Sequence, residues 1–101
     1  MDWNSMSNSA VVQEAGKRIK ELRLRKNLSQ KQLAEQAGVS VFTIAQIEKG
    51  KSVSFVLFIA VIRVLRLFDN MELLLPKPEV SPIELLKLQT KKPRRAGYKK
   101  Q

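Results

Sequence analysis

Apolar residues recur at intervals of three and four along much of the chain, a spacing typical of helices that bury one face. Val12, Ala15, Ile19 and Leu22 follow this spacing, and charged residues fill many of the positions between them. The pattern predicts a first helix over about 10–26. Further helices are predicted over 30–37, 41–49, 55–67 and 82–89.

Serine and glycine mark where the short central helices begin and end. Ser29 and Gln32 have the spacing of a capping box, in which each side chain bonds the backbone N–H of the other residue. Ser40 can cap the helix that follows. Gly38 stands at the end of the 30–37 helix, where a residue must tolerate positive φ. A tight turn therefore joins these two helices.

The helix predicted over 55–67 follows a capping Ser54 and is apolar nearly all round, so it must be covered on more than one side. A small monomer rarely provides that cover, which favours a homodimer. Residues 70–75 fit either a short fifth helix or an extended strand. The helix is suggested by Asp69 and Glu72, which have capping-box spacing ahead of a run of leucines.

Proline separates this region from the end of the chain. Pro76 and Pro78 predict a stiff, extended link. Ser81, Pro82 and Glu84 supply a cap, a first-turn proline and a third-position acid for the last helix. The residues after that helix are predicted to form a tail that does not pack into a core and that binds a partner through its charge. Its basic residues are Lys91, Lys92, Arg94, Arg95, Lys99 and Lys100.

These elements divide the chain into three parts. Residues 1–8 are predicted to be a flexible segment in which Trp3 is unpacked, with docking of Trp3 on a partner or on the core as the alternative. Residues 9–75 form a helical domain, and residues 76–101 hold the link, the short helix and the basic tail. The predicted fold is all-α, a small helical bundle, because one core is all that 101 residues can build.

Composition narrows the chemistry. The sequence has no Cys and no His, which removes thiolate nucleophiles, disulfides, the commonest metal ligands and the usual general base at neutral pH. We therefore expect no enzymatic activity, no metal and no cofactor. Lys and Arg number 19 against 9 Asp and Glu, and the resulting charge of +10 favours polyanionic partners.

A membrane location is not expected. The apolar run at 53–68 is shorter than the roughly 20 residues that a membrane-spanning helix needs, and it contains Arg63 and Arg66. Residues 1–9 lack the basic start and apolar core of a signal peptide. The expected location is therefore the cytoplasm.

Two short capped helices around a glycine turn are the physical description of a helix-turn-helix, whose second helix enters the major groove of DNA. Residues 16–68 resemble the Xre family of Cro and phage-repressor-like proteins. The resemblance rests on the stretch "RIKELRLRKNLSQKQLAEQAGVSVFTIAQIEKGK". Within it the matching features are Leu28-Ser29-Gln30, Leu33-Ala34, Gly38-Val39-Ser40, Ile44, Ile47-Glu48 and Gly50.

The resemblance implies roles for particular residues. Arg23 and Glu48 match an Arg–Glu pair that ties the first helix to the recognition helix, a structural role. Base readout falls to outward positions of the 41–49 helix: Val41, Phe42, Thr43 and Gln46. Gln46 can bond adenine, and Val41 or Phe42 can touch a thymine methyl group. Phosphate contacts are expected from Gln30, Ser40, Lys49, Lys51, Ser52 and Ser54.

These residue roles lead to several hypotheses about the function of the protein. The leading one is a homodimeric repressor that binds a palindromic double-stranded operator. Residues 71–96 are similar to the C-terminal extensions of HipB-like antitoxins, which implies autorepression and binding of a HipA-like kinase toxin. The alternatives are a phage-type or general repressor without a toxin partner, and a protein-interaction adaptor with a basic tail.

Overall fold

The computed structural model describes residues 1–90, and the basic residues of the predicted tail, from Lys91 onward, lie outside this range. The described part is helical and contains no strand, which confirms the all-α prediction. Its α-helices are α1 (Asn8–Arg25), α2 (Gln30–Ala37), α3 (Val41–Glu48), α4 (Phe55–Val64), α5 (Met71–Leu74) and α6 (Pro82–Thr90). Short 3-10 turns occupy Trp3–Ser5 and Phe68–Asn70.

The chain forms two compact units. The first covers Met1–Met71, and the second begins at Glu72, four residues before the boundary predicted at 76. The region predicted as a fifth helix or a strand is helical in the structure, as the 3-10 turn and α5.

The starts of α2 and α3 follow the local chemistry of the sequence. Ser29 Oγ accepts the backbone N–H of Gln32 at 3.0 Å, and the Gln32 side chain accepts the backbone N–H of Ser29 at 2.8 Å. Ser40 Oγ caps α3 by accepting the N–H of Thr43 at 3.0 Å. Gly38 ends α2 with φ of 72°, in the left-handed region that glycine adopts without a steric penalty.

Helix α4 is shorter than predicted. It ends at Val64 instead of continuing to 67, because Arg66 adopts a positive φ of 65°. The backbone N–H of Leu67 then returns to the carbonyl of Ile62 at 3.0 Å, a bond that closes the helix end. Arginine gives no sequence signal for this conformation, which residues other than Gly and Asn seldom adopt.

Trp3 contacts α1, so the expectation of an unpacked Trp3 is wrong. The Arg18 guanidinium lies over the indole of Trp3, 4.8 Å from the ring centroid, a cation–π arrangement. Arg18 also pairs with Glu14 at 2.9 Å. Helix α1 itself begins earlier than predicted, because Ser7 caps it by accepting the N–H of Ala10 at 3.1 Å.

The core of the first unit lies where α1, α2, α3 and α4 meet. Its buried side chains are Ile19, Leu33, Ala34, Ile44, Ile47, Val61, Ile62 and Leu65. Gly16 lets α1 approach α3 closely, because a Cβ at that position would stand 2.1 Å from the carbonyl oxygen of Ile47. This close approach fixes the back of α3 against α1. Among residues 1–90, no helix has the length and apolarity needed to cross a bilayer.

Candidate nucleic-acid interface

One face of α3 points into the core and the opposite face is available to a ligand. Ile44 and Ile47 are buried. Positions 42, 45, 46 and 49 lie on the other side of the helix at the i, i+3, i+4, i+7 spacing of a single face. We call Phe42, Ala45, Gln46 and Lys49 the outer face of α3. Ala45 was absent from the sequence-predicted set, although its helical spacing from Phe42 could have identified it.

The leading end of α3 is apolar and exposed. Phe42 has 70% of its surface accessible and Val41 has 43%. Both lie in the first turn, next to the Ser40 cap. Gln46 lies one turn later and is half-buried, while Lys49 follows α3 and is exposed. The structure therefore brings three predicted base-contacting residues, Val41, Phe42 and Gln46, to an accessible surface.

Thr43 departs from its predicted role in base readout. Only 8% of its surface is accessible, and its hydroxyl lies 3.0 Å from Ser40 Oγ. The resemblance to the family implied that Thr43 is one of the helix positions that face the groove. In the folded chain, the third helical position turns back toward the cap, so Thr43 stabilises the start of α3 instead of facing a ligand.

Two of the serines predicted to contact phosphate act as helix caps. Ser40 Oγ bonds both the backbone N–H and the hydroxyl of Thr43. Ser54 Oγ accepts the N–H of Leu57 at 3.2 Å at the start of α4. A capping hydroxyl still has its own hydrogen to donate, so the Ser54 cap leaves a donor for a phosphate oxygen. Lys49, Lys51 and Ser52 are exposed in the segment between α3 and α4.

A buried ion pair holds α3 from behind. Arg23 Nε donates to Glu48 Oε2 at 2.7 Å, and Arg23 Nη2 donates to Glu48 Oε1 at 3.1 Å, a bidentate fork. The two side chains are only 7% and 4% exposed. Arg23 Nη1 also donates to the backbone carbonyl of Leu28 at 2.7 Å, which ties in the loop before α2.

Gln30 extends this network instead of standing free at the surface. Its side-chain amide donates to Glu48 Oε1 at 2.9 Å. The start of α2, the end of α3 and α1 are therefore joined through the carboxylate of Glu48. The sequence-based prediction gave the Gln30 side chain to a phosphate. An amide has two hydrogens, so one donor is left after the bond to Glu48.

Among residues 1–90, no group of three or more acidic side chains is arranged so that it could hold a metal ion. The predicted electrostatic residues from Lys91 to Lys100 lie outside the described residues. Within residues 1–90, the candidate binding surface is the outer face of α3 together with the basic segment that follows it.

A short capped helix with an exposed outer face, joined by a glycine turn to a second helix and braced by a third, defines a helix-turn-helix domain. The helix-turn-helix family model matches residues 19–67. Residues 19–67 thus match the Xre, Cro and phage-repressor-like helix-turn-helix family, and the predicted resemblance is confirmed. The protein is a DNA-binding transcription regulator. No curated protein matches the chain.

Proposed function

We propose that the chain is a sequence-specific repressor that inserts α3 into the major groove of an operator. The observation that carries this proposal is the pairing of an exposed outer face on α3 with a buried bidentate ion pair at Glu48 behind it. A reading helix must hold its side chains in one geometry against the bases, and the ion pair and the close approach at Gly16 both restrain α3.

Phosphate contacts would flank this helix on both sides. Lys49, Lys51 and Ser52 follow α3, and Ser54 opens α4, so that the segment between the helices offers two cations and two hydroxyls. The backbone N–H and the remaining side-chain amide hydrogen of Gln30 would serve the other strand from the start of α2. Such contacts set the position of the protein on DNA without carrying sequence information.

We further propose that the operator is palindromic and is bound by a homodimer. In α4, Phe55 and Val56 are exposed by 68% and 75%. A second copy covering this surface would bury apolar area and supply the second half of a two-fold symmetric site.

The surface of the second unit favours binding of a protein partner. Its described part exposes an unusual share of leucine and isoleucine side chains, and a soluble surface seldom leaves so many uncovered. These residues are Leu73, Leu74, Leu75, Ile83, Leu85, Leu86 and Leu88. A HipA-like kinase toxin is our proposed partner, which would make the protein an autorepressing antitoxin. A repressor without a toxin is the second candidate.

The DNA proposal is tested by selecting duplexes from a random pool with the full-length protein and measuring binding to the selected operator. Gln46→Ala should change the preferred base at one position, where a base-edge contact is worth about 1–3 kcal/mol. Lys51→Ala should weaken binding to every sequence alike, because a phosphate contact is blind to sequence. Equal losses on all operator variants for Gln46→Ala would contradict the assignment of Gln46.

The same assay addresses the adaptor alternative. A repressor retains a large preference for its operator over random duplex as the salt concentration is raised. An adaptor that binds DNA only through charge loses affinity for the operator and for random duplex to the same extent. For the toxin, the full-length protein is purified from its own cells with its partners. Identification of a HipA-like kinase that Leu85→Glu releases, and that the control Gln89→Glu retains, would support the antitoxin. If no such kinase is found, the second candidate, a repressor without a toxin partner, is favoured.

A further inference from the structure

The outer face of α3 has few groups that can form hydrogen bonds with bases. Thr43 is buried against its cap and Ala45 has no polar atom in its side chain, so the polar side chains left on that face are Gln46 and, just after the helix, Lys49. The leading end, which penetrates deepest in helix-turn-helix docking, carries Val41 and Phe42 instead.

The apolar group that the major groove presents on an unmodified base edge is the C5-methyl of thymine. A 5-methylcytosine places the same methyl group at the same ring position. Exposed Val41 and Phe42 side chains can gain free energy in the groove by removing these methyl groups from water. Against a base edge without a methyl group, the two side chains would lose hydration and gain much less apolar contact.

We propose that the protein recognises 5-methylpyrimidines through Val41 and Phe42, so that it distinguishes thymine from uracil and 5-methylcytosine from cytosine. This inference rests on the proposed function, because it names the chemical group that α3 reads. It makes operator binding sensitive to cytosine methylation, with methylation strengthening the complex wherever a cytosine faces Phe42.

Charge favours DNA over a protein as the occupant of this apolar end. Phe42 shares its face with Lys49, and Lys51 follows closely in a chain whose net charge is +10. The N-terminus of α3 adds the positive end of its helix dipole next to Val41. Positive charge therefore lies at both ends of α3, which suits a groove flanked by phosphates.

The test uses the full-length protein and the operator selected from the random duplex pool. Each thymine is replaced in turn by uracil, which removes the methyl group and keeps every hydrogen-bonding group of the base edge. At one or two positions in each half-site, the affinity should fall about four-fold, the value of one methyl group buried. At the same positions, duplexes with 5-methylcytosine should bind about four-fold tighter than duplexes with cytosine.

Two variants assign the effect to its side chain. Phe42→Ala should bind more weakly and should no longer distinguish uracil from thymine at the sensitive positions. The control Gln46→Ala should keep that distinction while losing its preference elsewhere. Phe42 is largely exposed, so both variants should unfold at nearly the same temperature as the parent protein, which circular dichroism checks.

The outcomes separate the two levels of the proposal. If a defined operator is selected but no uracil substitution changes the affinity, methyl recognition is wrong and the repressor function stands. If Phe42→Ala retains full discrimination, the assignment of Phe42 is overturned. If the pool yields no preferred sequence at all, the proposed function itself fails.

Discussion

Glu48 is the residue on which the orientation of the reading helix most depends. Its carboxylate accepts two hydrogen bonds from Arg23 and one from Gln30, and it is almost fully buried. Glu48→Gln keeps the shape of the side chain and removes its charge, which leaves the buried guanidinium of Arg23 without a counter-charge. We expect a loss of about 3 kcal/mol in the free energy of unfolding, measured by urea denaturation.

The Arg18–Glu14 pair provides a matched control for this prediction. It has a similar distance of 2.9 Å, but the Arg18 side chain is 48% exposed. Glu14→Gln should therefore change the free energy of unfolding by less than about 1 kcal/mol. If Glu48→Gln were as mild as Glu14→Gln, the buried network would not be what positions α3.

Gly16 is a second residue that determines the position of α3, because it has no side chain. In Gly16→Ala the added Cβ would overlap the backbone carbonyl of Ile47, which is part of α3 and cannot rotate away. Overpacking of this kind costs about 1–3 kcal/mol, and the better helix propensity of alanine returns about 1 kcal/mol at most. We expect lower stability together with weaker operator binding, measured by thermal unfolding and by titration below the melting temperature.

Gly38→Ala separates displacement of α3 from loss of stability alone. A Cβ on Gly38 meets nothing within 4 Å, but its φ of 72° is unfavourable for alanine by about 1–2 kcal/mol. This variant should be less stable and yet retain the operator preference of the folded protein. Equal operator preference in Gly16→Ala would show that α3 does not depend on its close approach to α1.

At the scale of elements, the end of α4 is set by a conformation that its residue does not favour. Arg66 is exposed and holds a φ of 65°. Arg66→Gly should raise the free energy of unfolding by about 0.5–1 kcal/mol, because glycine adopts this φ without strain. Arg66→Ala removes the same side chain without relieving the backbone, so it should give no such gain. Equal stabilisation by both variants would attribute the effect to charge.

The helix ends show why some features of the fold could be predicted from the sequence and others could not. The starts of α2 and α3 depend on Ser29, Gln32 and Ser40, whose bonds span three residues, so the sequence contains all the information needed. The end of α4 depends on a positive φ at Arg66, which carries no local signal.

The features of the candidate site also differ in whether local sequence could predict them. Phe42 could be predicted to be exposed because the core positions Ile44 and Ile47 follow it by two and five residues, a spacing that places them on the opposite side of the helix. The burial of Thr43 and the bond from Gln30 to Glu48 could not, since both depend on how α3 is rotated against its neighbours. The close approach at Gly16 is likewise a property of two packed helices and has no signature within one.

At the scale of the whole molecule, the exposed apolar surface of α4 predicts self-association. Val56→Glu places a charge where a second copy would pack, and it should convert a dimer at tens of micromolar into a monomer in equilibrium sedimentation. Gln36→Glu adds the same charge to an exposed position on α2 and should leave the dimer intact. A parent protein that sediments as a monomer would remove the basis for a palindromic operator.

Net charge is the other whole-molecule property with a measurable consequence. Of the 19 basic residues, six stand in the terminal stretch from Lys91 to Lys100, which also contains Pro93 and Gly97 and has no acidic residue. If these residues meet phosphates, each neutralised phosphate releases counterions when the complex forms. Cutting the chain after Thr90 should then reduce the slope of log affinity against log salt by roughly 0.9 for each phosphate that the stretch neutralises.

The truncation should scarcely change thermal stability, because the removed stretch contains no Val, Leu, Ile, Met, Phe or Trp, and its apolar residues are Pro93, Ala96 and Tyr98. Measurement of operator binding at several salt concentrations, with full-length protein beside the truncated chain, separates two roles for these charges. A reduced slope with an unchanged base preference would assign them to the phosphate backbone, because backbone contacts add affinity on every sequence equally. An unchanged slope and affinity would exclude a DNA arm, and the basic stretch would then be assigned to the protein partner proposed for the second unit.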